Sequence, residues 1–471
     1  MTTTRSIILC MPIAIVALAV GMVRGSTTVE YDEVQQLLDA KCTRCHVGAD
    51  AARGLRLDSW QDLVAGSRYG EAVIAFDADN SLLIELVTKL VDGPHPTELD
   101  ADGLTNDEVE LLRTWVDEGA RSDAGEVPFA GARQLLYVAN QGAAMVSVID
   151  METNMVVRTV DLTELGFPEN ALPHHIQVEP DGSSWYVSLI GANTVLKFNR
   201  ANELVGRVEI ERPGLLALDP ASDKLYVARS MAAVNPPHSI GVIRRTDMTV
   251  QEIDVFIPRP HALAIGPRGR HVFTSSLAVN QIAIVDPDEE SLELTSLDGD
   301  RPHVFIQFAV SPDGGVMVGT TELTSKLFVF DMRLVPGMTP VDTIDVNAAP
   351  WHPVFTPDGR WLYVGNNWDN SVTVVDMQRR QVAKVIEGNG LAQPHGSGVS
   401  PDGRYVYIAN RNLQMPEGHS KAAHVYTPRY DLGDNSRIGT VVVIDTKTQS
   451  IVKIIEIEEY GSGIGTASRA R

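Results

Sequence analysis

The chain has 471 residues, with 61 acidic against 39 basic side chains and a formal net charge of −22. That balance argues against nucleic acid and anionic membrane surfaces as partners and favours solubility or a basic redox partner. The length predicts two or three domains, and three cysteines in all leave nothing for a disulfide framework.

Taken in chain order, Arg5 precedes an apolar run from Ile7 to Val23 that contains Cys10 and Pro12 and ends at Arg24-Gly25-Ser26. This reads as a secretory signal peptide over residues 1–25, so the protein is expected in the periplasm. A membrane contact is expected only if the segment stays on as an uncleaved anchor. Tyr31 to Leu38 has the apolar spacing of a helix and leads into Cys42-Thr43-Arg44-Cys45-His46. The C-x-x-C-H string is the attachment signature of haem c. Cys42 and Cys45 would add to the two vinyl groups, and His46 would lie under the iron as its proximal ligand. A structural zinc half-site needs a second ligand pair, and the mature chain has no other cysteine. Asn106 to Val116 predicts a second amphipathic helix, capped by Thr105 with Asp107 and Glu108 in its first turn.

Gly54-Leu55-Arg56-Leu57-Asp58, Asn80-Ser81-Leu82-Leu83-Ile84 and the run from Glu108 to Ala120 resemble the cytochrome c domains widespread in planctomycetes, over about Val29 to Ser122. The resemblance implies a small all-α cytochrome c domain, placed at 26–125. Members usually carry Met-Pro-Pro before the last helix; this chain has Gly93-Pro94-His95-Pro96, and no methionine between Met22 and Met145. His95 is therefore expected as the distal haem ligand, with a lower potential than a thioether would give. Water or a ligand from the second domain is the alternative.

A short linker at 126–132 precedes a repetitive region, 133–471. Strand cassettes such as Leu136-Tyr137-Val138-Ala139-Asn140, Leu362-Tyr363-Val364-Gly365-Asn366 and Val406-Tyr407-Ile408-Ala409-Asn410 follow Pro-Asp-Gly-like corners, whose prolines fall at 180, 220, 267, 312, 357 and 401. Further strands follow, as in Met145–Asp150 and Ser371–Asp376, then runs such as Val382 to Ile386. Four antiparallel strands repeated about seven times predict an all-β seven-bladed β-propeller. The first unit lacks its innermost strand, and Gly461 to Thr466 is the expected replacement, closing the ring and removing exposed edges. The cassettes resemble the YVTN family of seven-bladed propellers, relatives of the surface-layer, haem d1 and nitrous oxide reductase propellers; the resemblance is specific for fold, not function.

Histidines mark the start of most innermost strands. His174, His261 and His395 stand six before the corner proline, His175 and His352 five before, and His303 nine before. They are expected to converge at one channel mouth, where neutral imidazoles suit copper first, or another transition metal. The His174-His175 pair with later single histidines resembles the copper pattern of nitrous oxide reductase and multicopper propeller dehydrogenases, although Gly214 and Leu215 replace histidine in the third blade. A Pro-His start also occurs in lactonase-like propellers, where it need not bind metal, and a haem d1 site is a third alternative. Arg229, Arg259, Arg301 and Arg411 stand near the same positions and suit an anionic substrate. Arg411 to Ser436, with His419, His424, Tyr426 and Tyr430, is an insertion in the last blade, expected to cap the mouth or touch the haem domain. Two functions follow: an oxidoreductase acting on a small inorganic or organic molecule and exchanging electrons with a periplasmic redox partner protein, or a docking propeller carrying an electron-transfer cytochrome.

Overall fold

A computed structural model describes residues 28–90, 95, 103–266, 269–413, 426–433 and 439–467. The expected signal peptide, and His419 and His424 of the insertion, lie outside the described residues. Four helices come first: α1 (Tyr31–Lys41), α2 (Trp60–Val64), α3 (Leu82–Thr88) and α4 (Asn106–Asp117). Helix α4 opens where the sequence predicts, with Thr105 accepting from the Glu108 N–H and the Glu108 carboxylate accepting from the Thr105 N–H. Its apolar face buries Leu112, Trp115 and Val116 against Val34, Leu37 and Leu38 of α1, and Trp115 packs on the Tyr31 ring at 5.6 Å. Among the described residues no helix is long and apolar enough to cross a membrane.

From Leu135 onward the chain forms seven four-stranded antiparallel sheets. Six are built from consecutive strands. The remaining one pairs Gly461–Thr466 with Leu135–Asn140, so the last strand supplies the first blade's inner edge, as expected. The innermost strands begin at Gly461, Pro173, Pro213, Pro260, Phe305, Pro350 and Pro394, and each touches the next around the ring. Corner glycines such as Gly359 (φ +70°) and Gly403 (φ +75°) adopt the left-handed backbone that the Pro-Asp-Gly turns require.

The helical domain docks on the seam where this ring closes. Ile74 is buried among Leu136, Val138 and Val156 of the first blade and Tyr407, Val441 and Ile455 of the seventh. The Val156 N–H donates to the Glu71 carboxylate at 3.1 Å, and Arg429 of the insertion donates to the Tyr69 carbonyl at 2.7 Å. Thr159 and Asp77 are hydrogen-bonded across the same junction.

Candidate haem pocket and propeller mouth

The C-x-x-C-H segment sits at the C-terminal end of α1. The Cys45 and His46 N–H groups both donate to the Cys42 carbonyl at 3.1 Å, a tight turn that brings the two thiols and the imidazole to one side. Cys42 and Cys45 form no disulfide. The Gly54–Asp58 stretch places the Leu55 carbonyl 3.2 Å from His46 Nδ1, so Nδ1 carries the proton and Nε2 keeps its lone pair. His95 is anchored by its N–H to the Leu86 carbonyl of α3 at 2.8 Å. Its ring lies edge-on to that of His46, with 6.1 Å between ring centres and 67° between ring planes.

The propeller mouth has a repeating construction. The residue before every innermost strand has positive φ and is never glycine: Leu172, Arg212, Arg259, Val304, Ala349, Gln393 and Tyr460. Non-glycine residues pay for this region in steric strain, so its presence in all seven blades is a built feature of the mouth. Each of these carbonyls accepts, at 2.8–3.2 Å, the N–H of the residue that follows its blade's second strand. Gln141 and Arg411 are two of those residues, which is why they meet His174 and His395, and Glu322 is a third, beside Trp351 and Arg411.

Five of the six expected histidines converge. Ring centres of His174 and His395 lie 5.3 Å apart, His395 and His352 4.9 Å, and His352 and His175 5.7 Å across the channel, while His261 is coupled electrostatically to them. All are buried. Burial first, then neighbouring imidazoles, pushes His174, His352 and His395 well below the ordinary histidine range. The same order of causes pushes His175 down to about 3. Burial takes His261 down to about 4, partly opposed by its bond to the Arg229 carbonyl. The cluster is therefore neutral at physiological pH.

His303 does not join them. Its ring nitrogens engage Thr324 Oγ1 at 3.1 Å and the Asp298 carbonyl at 2.9 Å, and its ring packs on Phe328. The three-residue shift that takes it out of register puts Ile306 and Gln307 at the equivalent channel positions. In the third blade a Cβ on Gly214 would stand 2.7 Å from the Arg229 carbonyl group, so glycine is required where histidine was sought. Arg229 is spent on structure, donating to Glu252, Ser239 and the Glu211 carbonyl. Arg301 is exposed.

The donors fall short of a metal centre. His261 Nδ1 lies 2.8 Å from the Arg229 carbonyl and so leaves Nε2 free, but His175 Nδ1 accepts the Leu216 N–H at 3.2 Å, which uses the only lone pair of a neutral imidazole. Among the described residues no three His, Cys, Asp or Glu side chains are arranged to hold a metal ion. Sequence reasoning missed Gln141, whose side-chain oxygen is 3.1 Å from His174 Nδ1, and Ser462, which bridges the His174 carbonyl at 3.1 Å and His395 Nε2 at 3.5 Å. It also missed Trp351 and Glu322. The fixed offset of Gln141, Glu322 and Arg411 from the strand cassettes was the available signal.

Residues 42–94 match the family model of planctomycete cytochrome C, and residues 209–427 match that of the lactonase seven-bladed beta-propeller. Antigen Lp49 of Leptospira interrogans serogroup Icterohaemorrhagiae serovar copenhageni (strain Fiocruz L1-130) is 23% identical over 328 residues, covering 67% of this chain and 57% of the relative. The chain thus spans little more than half the length of that relative. A solved structure of a functionally unknown protein from Desulfotomaculum acetoxidans DSM 771 superposes with a TM-score of 0.55 at 14% identity, covering 71% of this chain and 99% of the other, and shows the fold alone. The dihydro-heme d1 dehydrogenase NirN, solved in complex with DHE, gives a TM-score of 0.49 at 13% identity, covering 91% and 98%. The chain is an N-terminal segment similar to planctomycete cytochrome C joined to a seven-bladed propeller similar to the lactonase type.

Proposed function

We propose that this protein is an exported electron-transfer protein carrying one haem c, with Cys42 and Cys45 as covalent attachment points and His46 and His95 as axial ligands. The observation that carries the reading is the closeness of the His46 and His95 rings beside the C-x-x-C-H turn. Two imidazoles bound to one iron at about 2 Å each would have ring centres roughly 6 Å apart, and the observed separation is 6.1 Å. When bound, the haem supplies one-electron chemistry. Cys42, Cys45, His46 and His95 would hold it, the Leu55 carbonyl fixes the His46 tautomer, and a histidine in place of methionine would set a lower potential.

The finer reading is a periplasmic oxidoreductase in which a small molecule reacts at the imidazole-lined mouth and electrons pass between haem and a carrier protein. The described residues linking the two regions support it: Arg411 stands at the mouth, Arg429 of the same insertion touches the haem domain, and Ile74 of that domain is buried between the first and seventh blades. A copper centre is the part of this reading that the donor set fits poorly, and no step is routed through it. The second reading, a docking propeller carrying a cytochrome, is supported by the arrangement of the mouth histidines, no three of which, among the described residues, are placed to hold a metal ion.

Covalent haem and elemental analysis of the purified protein test these readings together. One iron per chain in a covalent haem is expected. Stoichiometric copper would restore the metal-centred reading, an additional porphyrin would point to haem d1, and a chain that matures without covalent haem would overturn the proposal.

A further inference from the structure

Among the described residues Arg411 is the mouth guanidinium that makes no hydrogen bond, whereas those of Arg212 and Arg259 donate to the Ile190 and Met231 carbonyls. The Arg411 side chain makes no ion pair among the described residues either, and its buried Nε has no acceptor. The guanidinium lies 4.2 Å from the Tyr460 ring centre and 5.6 Å from that of Trp351, which hold it in place without neutralising it. Burial holds it below the usual arginine range, partly opposed by the field of Glu322, with which it forms no ion pair. Beside it, His395 is 2% exposed and its Nδ1 is buried with no partner. Trp351 packs on the His395 ring at 4.6 Å, and its Nε1 stands near Glu322 without closing a well-formed hydrogen bond. A buried guanidinium that makes no hydrogen bond or ion pair, beside an imidazole nitrogen with no partner, is costly, and a ligand that brings acceptor oxygens and negative charge relieves both costs.

We propose that the propeller mouth binds a small oxyanion, either a carboxylate or an inorganic one, with its oxygens on the Arg411 guanidinium and the free nitrogen of His395. This names the ligand class of the mouth and rests on the reading of the mouth as a small-molecule site. The mouth histidines, being neutral, leave the fixed positive charge to the arginines, and Arg411, unlike Arg259 with its bond to the Met231 carbonyl, has its guanidinium free to take an anion.

Calorimetric titration of the holoprotein with acetate and, separately, with nitrate at constant ionic strength tests it. Saturable one-site binding of at least one probe is expected, and the probe that binds tells the carboxylate from the inorganic source. Arg411→Gln should weaken binding at least tenfold, Arg411→Lys less, and His395→Ala several-fold, all with an unchanged haem spectrum. Arg244→Gln, at an exposed guanidinium paired with Asp247, should change nothing. If Arg411→Gln does not fold, Arg411→Lys and His395→Ala decide. No saturable binding of either probe, or equal affinity in folded variants, would overturn the site. Binding without redox turnover would keep this site and remove the oxidoreductase reading; turnover without binding would do the reverse.

Discussion

The two regions of this protein carry functional information differently. In the helical domain five consecutive residues, Cys42 to His46, define the chemistry, and the fold has only to present them. In the propeller no short string defines anything. The function-bearing feature is a ring of positions, one per blade, which seven left-handed residues and their carbonyl bonds bring to one mouth. A motif can be read from a line of sequence; a ring needs the register of every blade. That difference orders the following tests.

The largest effect should come from Cys42→Ala/Cys45→Ala, which removes both attachment points: haem staining on a denaturing gel should disappear while the propeller keeps its strand signal in circular dichroism. Next, His95→Met should raise the midpoint potential, on the order of 100 mV, because a thioether favours ferrous iron. An unchanged potential would mean that His95 is not a ligand. Third, Ile74→Ala should cost about 2 to 5 kcal/mol, the range for truncating a buried isoleucine, and should lower the thermal midpoint without altering the haem spectrum. If the spectrum moved instead, the seam would be part of the haem pocket and the two regions less separable than described.

The smallest effect is in pH dependence, and it has opposite signs in the two places. Burial, reinforced by Glu85 and Asp77, pushes Glu458 at the junction up to about 7. A carboxyl raised in the fold stabilises below the ordinary carboxylate range, and that contribution is lost as pH rises through about 7; its size is about 1 to 3 kcal/mol. The mouth imidazoles are depressed, so their contribution is complete above the ordinary histidine value and is lost as pH falls below it. Thermal unfolding between pH 4 and 8 should therefore show acid-labile propeller and alkali-labile docking, and Glu458→Gln should flatten only the alkaline arm.

Much of the architecture was legible because its signals are local. The Thr105 cap, the strands at Met145–Asp150 and Ser371–Asp376, and closure by Gly461–Thr466 all follow from alternation, turn chemistry or the count of strands per repeat. Five mouth histidines were legible for the same reason, since each keeps its distance from a corner proline. His303 failed because a shift of register sends it into hydrogen bonds with Thr324 and Asp298 rather than towards the channel. Tautomers were out of reach of sequence altogether: the Leu216 N–H on His175 Nδ1 and the Leu55 carbonyl by His46 Nδ1 depend on backbone atoms brought close only by the fold. The anchoring of Arg411 over Tyr460 and Trp351 joins three separate blades, which no local pattern announces.

The most direct measurement is the low-temperature electron paramagnetic resonance spectrum of the oxidised holoprotein at neutral pH, with and without His95→Ala. Axial His46 and His95 predict a low-spin, six-coordinate haem with two nitrogen ligands, converted by His95→Ala to a form with an open or water-filled sixth position. A high-spin spectrum from the unmodified protein, or a low-spin spectrum that the substitution leaves unchanged, would contradict the account.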